Sequence, residues 1–385
     1  MKTPFFCTIA ILLAIASSSA AQQLPRSKRQ AVSRTDGSDL RMISDARFRN
    51  GYINLAGKVV VEPQFEDADE FYEGRARVKV DGKWGYIDPT GRLVVPTTYD
   101  CAENFSEGRA RVIRGDRYGY VDTRGRVSVP MTFDATRAWS SFIFSSGLAP
   151  APGPDGTLYG YIDRRGRMVI APRFKHASAF AEGLAEVVID TDLGPRTGYI
   201  DLKGRMVVAA QYDSGEPFSG GLALVRTGRE PRTWLSRFVD RTGRVVLEPD
   251  SRNVESFGEG LAPIGVGAFT STSRHTIKIQ NGCGGGYPGG VPGAYVEFGK
   301  IGYIDVTGRF VIAPAYVHAG VFSEGLAPVR VDERWGYIDK AGRIVISPQF
   351  DYAESFFGGL ARVRLSNSRT GMIDRTGRIV WSTPE

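Results

Sequence analysis

At 385 residues the chain has a length that would ordinarily imply two or three domains. Internal repeats override that expectation, because length then counts units and not cores. A formal net charge of +7, spread along the sequence, argues for solubility and weak attraction of anions and excludes a dedicated nucleic-acid site.

The chain opens with a secretory pattern. Lys2 supplies a positive start, Phe5 to Ala16 is a short apolar run, and Ser19-Ala20-Ala21 offers the small residues of a cleavage site. The run falls short of the roughly 20 residues a membrane span needs, and no later stretch is long enough either. We expect a signal peptide over residues 1–21, with release into the periplasm or the medium and no membrane span afterwards. Residues 22–39 are polar and basic (Arg26, Lys28, Arg29, Arg34) and read as a disordered spacer, since little apolar surface offsets the entropy of ordering them. Cleavage would leave two cysteines, Cys101 and Cys283, which excludes a disulfide-stapled scaffold and leaves one bridge between them open. No CxxC metal spacing occurs.

From residue 40 to 385 one pattern recurs. Its cleanest copies run from Trp84 (WGYIDPTGRLVVPTTYDCAENFSEGRARV) and from Trp335 (WGYIDKAGRIVISPQFDYAESFFGGLARV). Nine turns set the register: Asn54–Gly57, Asp88–Gly91, Asp122–Gly125, Asp163–Gly166, Asp201–Gly204, Asp240–Gly243, Asp305–Gly308, Asp339–Gly342 and Asp374–Gly377. An Asx side chain at the first place accepts a bond from within the turn and glycine at the fourth takes positive φ, so each is a hairpin with a type I turn and a bulge glycine. Units start near 51, 85, 119, 160, 198, 237, 302, 336 and 371.

Proline closes the second strand, as at Pro63, Pro96 and Pro348, and an aromatic follows (Phe65, Tyr99, Phe350). A second aromatic six residues on, at Phe71, Phe105, Trp139, Phe180, Phe218, Phe257, Phe322 and Phe356, reads as a buried plug between units. Carbohydrate stacking is the functional alternative for these rings. Glu73, Glu107, Glu182, Glu259 and Glu324 resemble catalytic carboxylates until their unit spacing is seen. A turn or inter-repeat hydrogen bond explains them better. Each unit is then a three-stranded antiparallel meander followed by a connection of about fifteen residues, with room for one helical turn.

Together the Trp-Gly-Tyr-Ile-Asp run, the Gly-basic pair, the Pro-x-aromatic step and Phe-x-Glu-Gly-Leu-Ala resemble the bacterial WG-repeat family over roughly residues 40–385. The resemblance implies a β-rich repeat scaffold, often exported, with interaction roles and no catalytic residues of its own. The tryptophan survives only as Trp84 and Trp335, and Met372 replaces the tyrosine of the last copy. The fold class expected is all-β, in tandem meanders. The first unit draws its opening strand from Leu40 to Ser44, and the last contains Leu360–Leu365, Gly371–Asp374 and Arg378–Trp381. Neither end leaves a vacancy for the other, so an open β-superhelix or solenoid is expected in preference to a closed β-propeller.

Function is sought off the repeat register. The largest insertion, 265–299, reads as a Gly-rich hairpin with strands near Thr276–Gln280 and Ala294–Phe298, and it holds His275 and Tyr287 as candidate partner contacts. No Gly-Lys-Ser/Thr follows its glycines, which excludes a phosphate-cradling loop. A smaller insertion is expected near Phe142 to Asp155. Strand alternation places Arg75, Arg77, Arg109, Arg111, Arg362 and Arg364 outward, and a basic residue follows every turn glycine. Paired with the recurrent acids these form a solvated salt-bridged face; unpaired they would form a basic track for an anionic cell-envelope polymer or an acidic protein. His176, His275 and His318 lie in different units without ligand spacing, and no cofactor is implied. The expectation is a non-enzymatic exported scaffold that binds an envelope protein or cell-wall polymer. The alternative is a polysaccharide- or peptidoglycan-acting hydrolase with its site at the inserted loop.

Overall fold

The structure, a computed structural model, describes residues 37–136, 142–228, 235–249, 254–266, 270–275, 293–297, 300–366 and 369–383. The expected leader, most of the spacer, Trp139, Cys283 and Tyr287 lie outside these residues. Cys101 is disulfide-bonded. Among the described residues no helix is long and apolar enough to cross a membrane.

The turn chemistry forms as the residues dictate. Asp88 Oδ1 accepts the Thr90 and Arg92 amides at 2.9 and 3.1 Å. The Gly91 amide donates to the Asp88 carbonyl, Gly91 has φ +83°, and the ladder shifts register next to Ile87. At the other end of the unit the chain turns through Glu73 and Gly74, both at positive φ, before the strand Ala76–Val80. A tight turn at Asp81-Gly82 returns it into Lys83–Ile87, and the bulged turn leads on to Leu93–Tyr99. A two-residue strand, Asp67–Ala68, precedes these three and completes a four-stranded antiparallel sheet. The expected connection therefore carries a strand and not a helical turn.

Nine blade sheets occur among the described residues, one per blade of a β-propeller: 40–65, 67–99, 101–134, 148–174, 176–212, 214–247, 261–316, 318–350 and 352–382; six are four-stranded, and 40–65, 148–174 and 261–316 have the three long strands alone. They are blades 1 to 9 below. The blade is out of phase with the unit read from sequence. The strand beginning at Ala76 belongs with the Trp84 strand that follows it, because the Asp81-Gly82 turn joins them directly. In each blade the Trp-Gly-Tyr-Ile-Asp strand is covered on both faces by its neighbours, and Tyr86 and Ile87 are fully buried. The outermost strand exposes alternate residues, as in Leu93–Tyr99, and the two-residue strand lies toward the axis. Blade 4 keeps the pattern with one change. Phe144 fills the plug position assigned from sequence to Trp139, and the expected insertion at Phe142–Asp155 is largely core, with Phe142 and Phe144 buried and Leu148–Pro152 a blade strand.

Blades are joined by a repeated contact set. The tyrosine of one blade meets the plug phenylalanine of the next edge-on or steeply tilted: Tyr52–Phe71, Tyr86–Phe105, Tyr120–Phe144, Tyr199–Phe218 and Tyr337–Phe356 have ring centroids 4.8–5.0 Å apart. Its hydroxyl donates to a carbonyl of the same neighbour, Tyr86 to Glu103 at 2.6 Å and Tyr337 to Glu354 at 2.7 Å. Phe105, Phe180 and Phe322 are 2–3% exposed, as a plug requires. Each such ring pair adds about 0.5–1.5 kcal/mol beyond its buried area.

The chain closes on itself, which corrects the expected open superhelix. Each turn glycine rests on a branched aliphatic side chain of the preceding blade's outer strand: Gly91 on Val61, Gly125 on Val95, Gly166 on Val129, Gly204 on Ile170, Gly243 on Val208, Gly308 on Leu247, Gly342 on Ile312 and Gly377 on Ile346. The ninth contact joins the two ends, where Gly57 of blade 1 packs on Val380 of blade 9. As expected from sequence, each terminal sheet is built from its own strands, with Leu40–Ser44 pairing Asn50–Asn54. Closure needs no exchanged strand, because blades meet through side chains and not through a ladder. Ile43 and Ile53 of blade 1 form one buried cluster with Leu360 and Met372 of blade 9, where Met372 replaces the repeat tyrosine. Arg41 stands where the other blades have alanine, as at Ala76 and Ala361. Its Nε donates to the Phe357 carbonyl at 2.6 Å and its guanidinium lies 5.0 Å over the Phe357 ring. Gly358 makes room for it, since a Cβ there would overlap the guanidinium.

The seam separates two kinds of glycine. Gly57→Ala would place a methyl against the Val380 carbonyl, whereas Gly82, also at positive φ, has open space around it. Gly82→Ala should cost only the left-handed backbone penalty of about 1 kcal/mol. Gly57→Ala should cost about 2 kcal/mol more in urea denaturation, from overpacking at the seam. Equal losses would contradict the closing contact.

Candidate functional site

The recurrent carboxylates are inter-blade fasteners. Glu73 accepts the Glu107 and Gly108 amides of the next blade at 2.7 Å each. Glu107 accepts Gly147 at 2.8 Å and pairs with Arg164 at 2.9 Å. Glu182 accepts Gly220 and Gly221, and Glu324 accepts Gly359. Glu259 accepts Gly325 and pairs with Lys340 at 3.0 Å. Burial pushes the Glu107 carboxyl up, but the bonds from Arg164 and Gly147 hold it below its usual value. The serine before the turn adds a second fastener, with Ser106, Ser219 and Ser323 hydroxyls donating to Phe144, Phe257 and Phe356 carbonyls at 2.7–2.9 Å. These acids are distributed around the ring and do not converge on one pocket. Among the described residues no group of three or more His, Cys, Asp or Glu is placed to hold a metal.

The arginines expected to face outward are mostly turned to the same use. Arg75 Nε donates to the Thr123 carbonyl of blade 3 at 2.8 Å. Arg77 pairs with Asp69 at 2.9 Å, donates to the Ala102 carbonyl of blade 3 and lies over Trp84. Arg109 bonds the Gly108 carbonyl at 2.9 Å. Arg111 is 2% exposed, paired with Glu103 at 2.6 Å and stacked between Tyr118 and Phe142, about 5 Å from each ring centroid. Arg362 reaches the Met42 carbonyl across the seam, and Arg364 is exposed. The outward reading corrects itself physically: two-strand alternation separates faces, but in a ring of stacked blades both faces of an inner strand meet protein. The basic residues after the turn glycines do reach solvent. Six of the nine pair with the turn aspartate four residues before, as in Arg167–Asp163 and Arg343–Asp339 at 2.7 Å, contacts worth little each.

The insertion forms a hairpin of its own, Thr270–His275 against Gly293–Glu297, placed between the first two long strands of blade 7. His275 pairs in register with Gly293, and the expected strand Thr276–Gln280 lies outside the described residues. His176 and His318 take equivalent places on short strands, as their spacing implies. Burial lowers both; His318 stacks on Trp335, and His176 Nε2 lies 3.3 Å from Ser178 Oγ.

One buried acid was not found from sequence. Glu186 of blade 5 sits where Arg77 and Arg111 sit in blades 2 and 3, and it is 9% exposed. Ser178 Oγ donates to it at 3.1 Å, and the Glu216 carboxylate lies near. Desolvation, with a contribution from Glu216, pushes its carboxyl up to about 7. The signal was present as a carboxylate at a position that is arginine, proline, leucine or methionine in other blades. Because the folded pKa is raised above the unfolded value, the folded state binds the extra proton between about pH 4.5 and 7 and loses stability as pH rises through that window. Glu186→Gln should flatten this decline and raise the melting temperature at pH 8 relative to pH 5, measured by calorimetry. A profile unchanged by the substitution would contradict a buried, titrating Glu186.

In solved structures the chain is similar to BamB from Moraxella catarrhalis, at 10% identity and TM-score 0.37 over 88% of this chain and 96% of that one. It is also similar to Hsv2p from Kluyveromyces lactis (9%, TM-score 0.39, 69% and 89%) and to the Pan2 WD40 domain from Neurospora crassa (11%, TM-score 0.33, 82% and 87%). Likeness at these scores bears on neither the fold nor the function of this chain. No curated protein matches it in sequence. The family model described as WG containing repeat matches eight times, at 51–84, 84–118, 118–151, 159–190, 198–229, 237–267, 301–335 and 335–367. With well over half of the chain so matched, and with the matched motifs supplying the blade-to-blade contacts, this protein belongs to the WG-repeat family.

Proposed function

We propose that the protein is an exported, non-enzymatic scaffold that binds an envelope protein or a cell-wall polymer. The observation that carries this reading is the use made of the repeat's polar groups. Glu73, Glu107, Glu182, Glu259 and Glu324 each accept a bond from the next blade, and Arg75, Arg77 and Arg362 donate across blade boundaries. Groups committed in this way serve the ring, and recognition falls to segments outside the repeat. The hairpin Thr270–His275/Gly293–Glu297 is the largest of these. The amino-terminal pattern of Lys2, an apolar run and Ser19-Ala20-Ala21 supports export.

The blade itself supplies the control for a test. Val266 pairs with Lys300, as Val80 pairs with Lys83 across the two-residue turn of blade 2. Replacing residues 267–299 with Asp-Gly should therefore leave blade 7 intact, with a change in unfolding free energy of under about 1 kcal/mol when both forms are measured under reducing conditions, which take the Cys101 disulfide out of the comparison. Pull-down from envelope extracts should lose the principal captured species with this variant. Capture of the same species by both forms would remove the hairpin from the function.

A further inference from the structure

A cleft opens between blades 4 and 5, at a place where blade 4 lacks an ion pair that three other blades carry. In blades 2, 5 and 8 the residue before the central strand is a cation and the residue after the outer strand is an aspartate. They pair as Lys83–Asp100, Arg196–Asp213 and Arg334–Asp351. In blade 4 the same two places hold Leu158 and Lys175, next to the register pair Tyr159–Phe174. The ion pair is gone, and an apolar side chain and a reversed charge stand in its place. Lys175 turns instead to Asp190 of blade 5, at 2.8 Å, with both side chains about half exposed.

The cleft has a volume of about 730 Å³. Leu158, Phe174, Ile189 and Met206 give it an apolar lining, and Phe174 is buried beneath it. Arg173, Lys175, Lys203 and Arg205 stand around its mouth, with Asp190 the acid among the lining residues. Arg173 is held in place by a bond to the Gly204 carbonyl and lies 5.1 Å over the Phe174 ring. Arg205 is shared with Asp201 at 2.7 Å, and the Lys203 ammonium has no partner among the described residues. Four cations beside an apolar recess, against two carboxylates that engage Lys175 and Arg205, leave a net positive mouth over a greasy floor. Such a lining favours a ligand whose anionic end stays at the rim while its apolar body enters.

We propose that this cleft binds a small anionic amphiphile, with a phosphate, sulfate or carboxylate group held by Arg173 and Lys203 and an apolar body against Leu158, Phe174 and Met206. This site is separate from the inserted hairpin and does not depend on the scaffold reading. Octyl phosphate is the direct probe, with inorganic phosphate and octanol as the head and body alone, titrated into the full-length protein by calorimetry and saturation-transfer NMR. Octyl phosphate should bind saturably and at least tenfold more tightly than either fragment. The double variant Leu158→Lys, Lys175→Asp writes the repeat's own ion pair back into blade 4. It should keep the parent's melting temperature and weaken octyl phosphate at least tenfold. If it does not fold, Lys203→Gln, at an exposed position, should weaken binding several-fold. Equal affinity for inorganic phosphate and octyl phosphate, no saturable binding to the parent, or undiminished binding to the variants would each overturn the site.

Discussion

A glycine at the fourth place of a turn, seated on a branched aliphatic side chain of the neighbouring blade, is the contact on which this molecule is built. It unites two demands in one residue. The bulged turn needs positive φ, and the next blade lies too close for a Cβ; at Gly125 a Cβ would come 3.0 Å from Val95. The contact fixes how far one blade stands from the next. Tyrosine–phenylalanine edge pairs and the glutamate–amide bonds then fix their rotation. A step repeated with so little variation returns the chain to its start, where Gly57 packs against the backbone of Val380.

Closure at the seam uses different chemistry from the other joints. Met372 stands where a tyrosine would carry the hydroxyl bond, and the apolar cluster of Ile43, Ile53, Leu360 and Met372 takes over its packing. Arg41 and Gly358 are a matched departure: a cation where other blades have alanine, and a glycine where five turns have glutamate, so that one fills the space the other vacates. Propellers that exchange a terminal strand close by a hydrogen-bonded ladder. Here the ladder is complete within each terminal blade, and burial, one cation–ring contact and the arginine–carbonyl bonds of Arg41 and Arg362 join them.

Much of this was legible in the residues. The nine turns, their bulge glycine, the plug phenylalanines and the scaffold role of Glu73 and its equivalents follow from local chemistry repeated at fixed spacing. What depends on the rotation between units does not show in local chemistry. The same meanders can wind open or close, and the absence of a vacancy at either end does not decide between them. The outward assignment of Arg111 failed for the same reason, since alternation along a strand separates two faces without saying that protein covers both. Departures from the repeat were the readable sign of special places. Arg41 and Glu186 each occupy a position that other blades give to a different kind of side chain.

Distances between spin labels on the turns test closure most directly. Labels carried on bio-orthogonal side chains at the exposed positions Ala56 in blade 1, Thr90 in blade 2, Lys203 in blade 5 and Thr376 in blade 9 report the order of blades around the axis. In a closed ring the 56–376 distance matches 56–90, and both are shorter than 56–203. A 56–376 distance longer than 56–203 would mean an open superhelix and would contradict the ring.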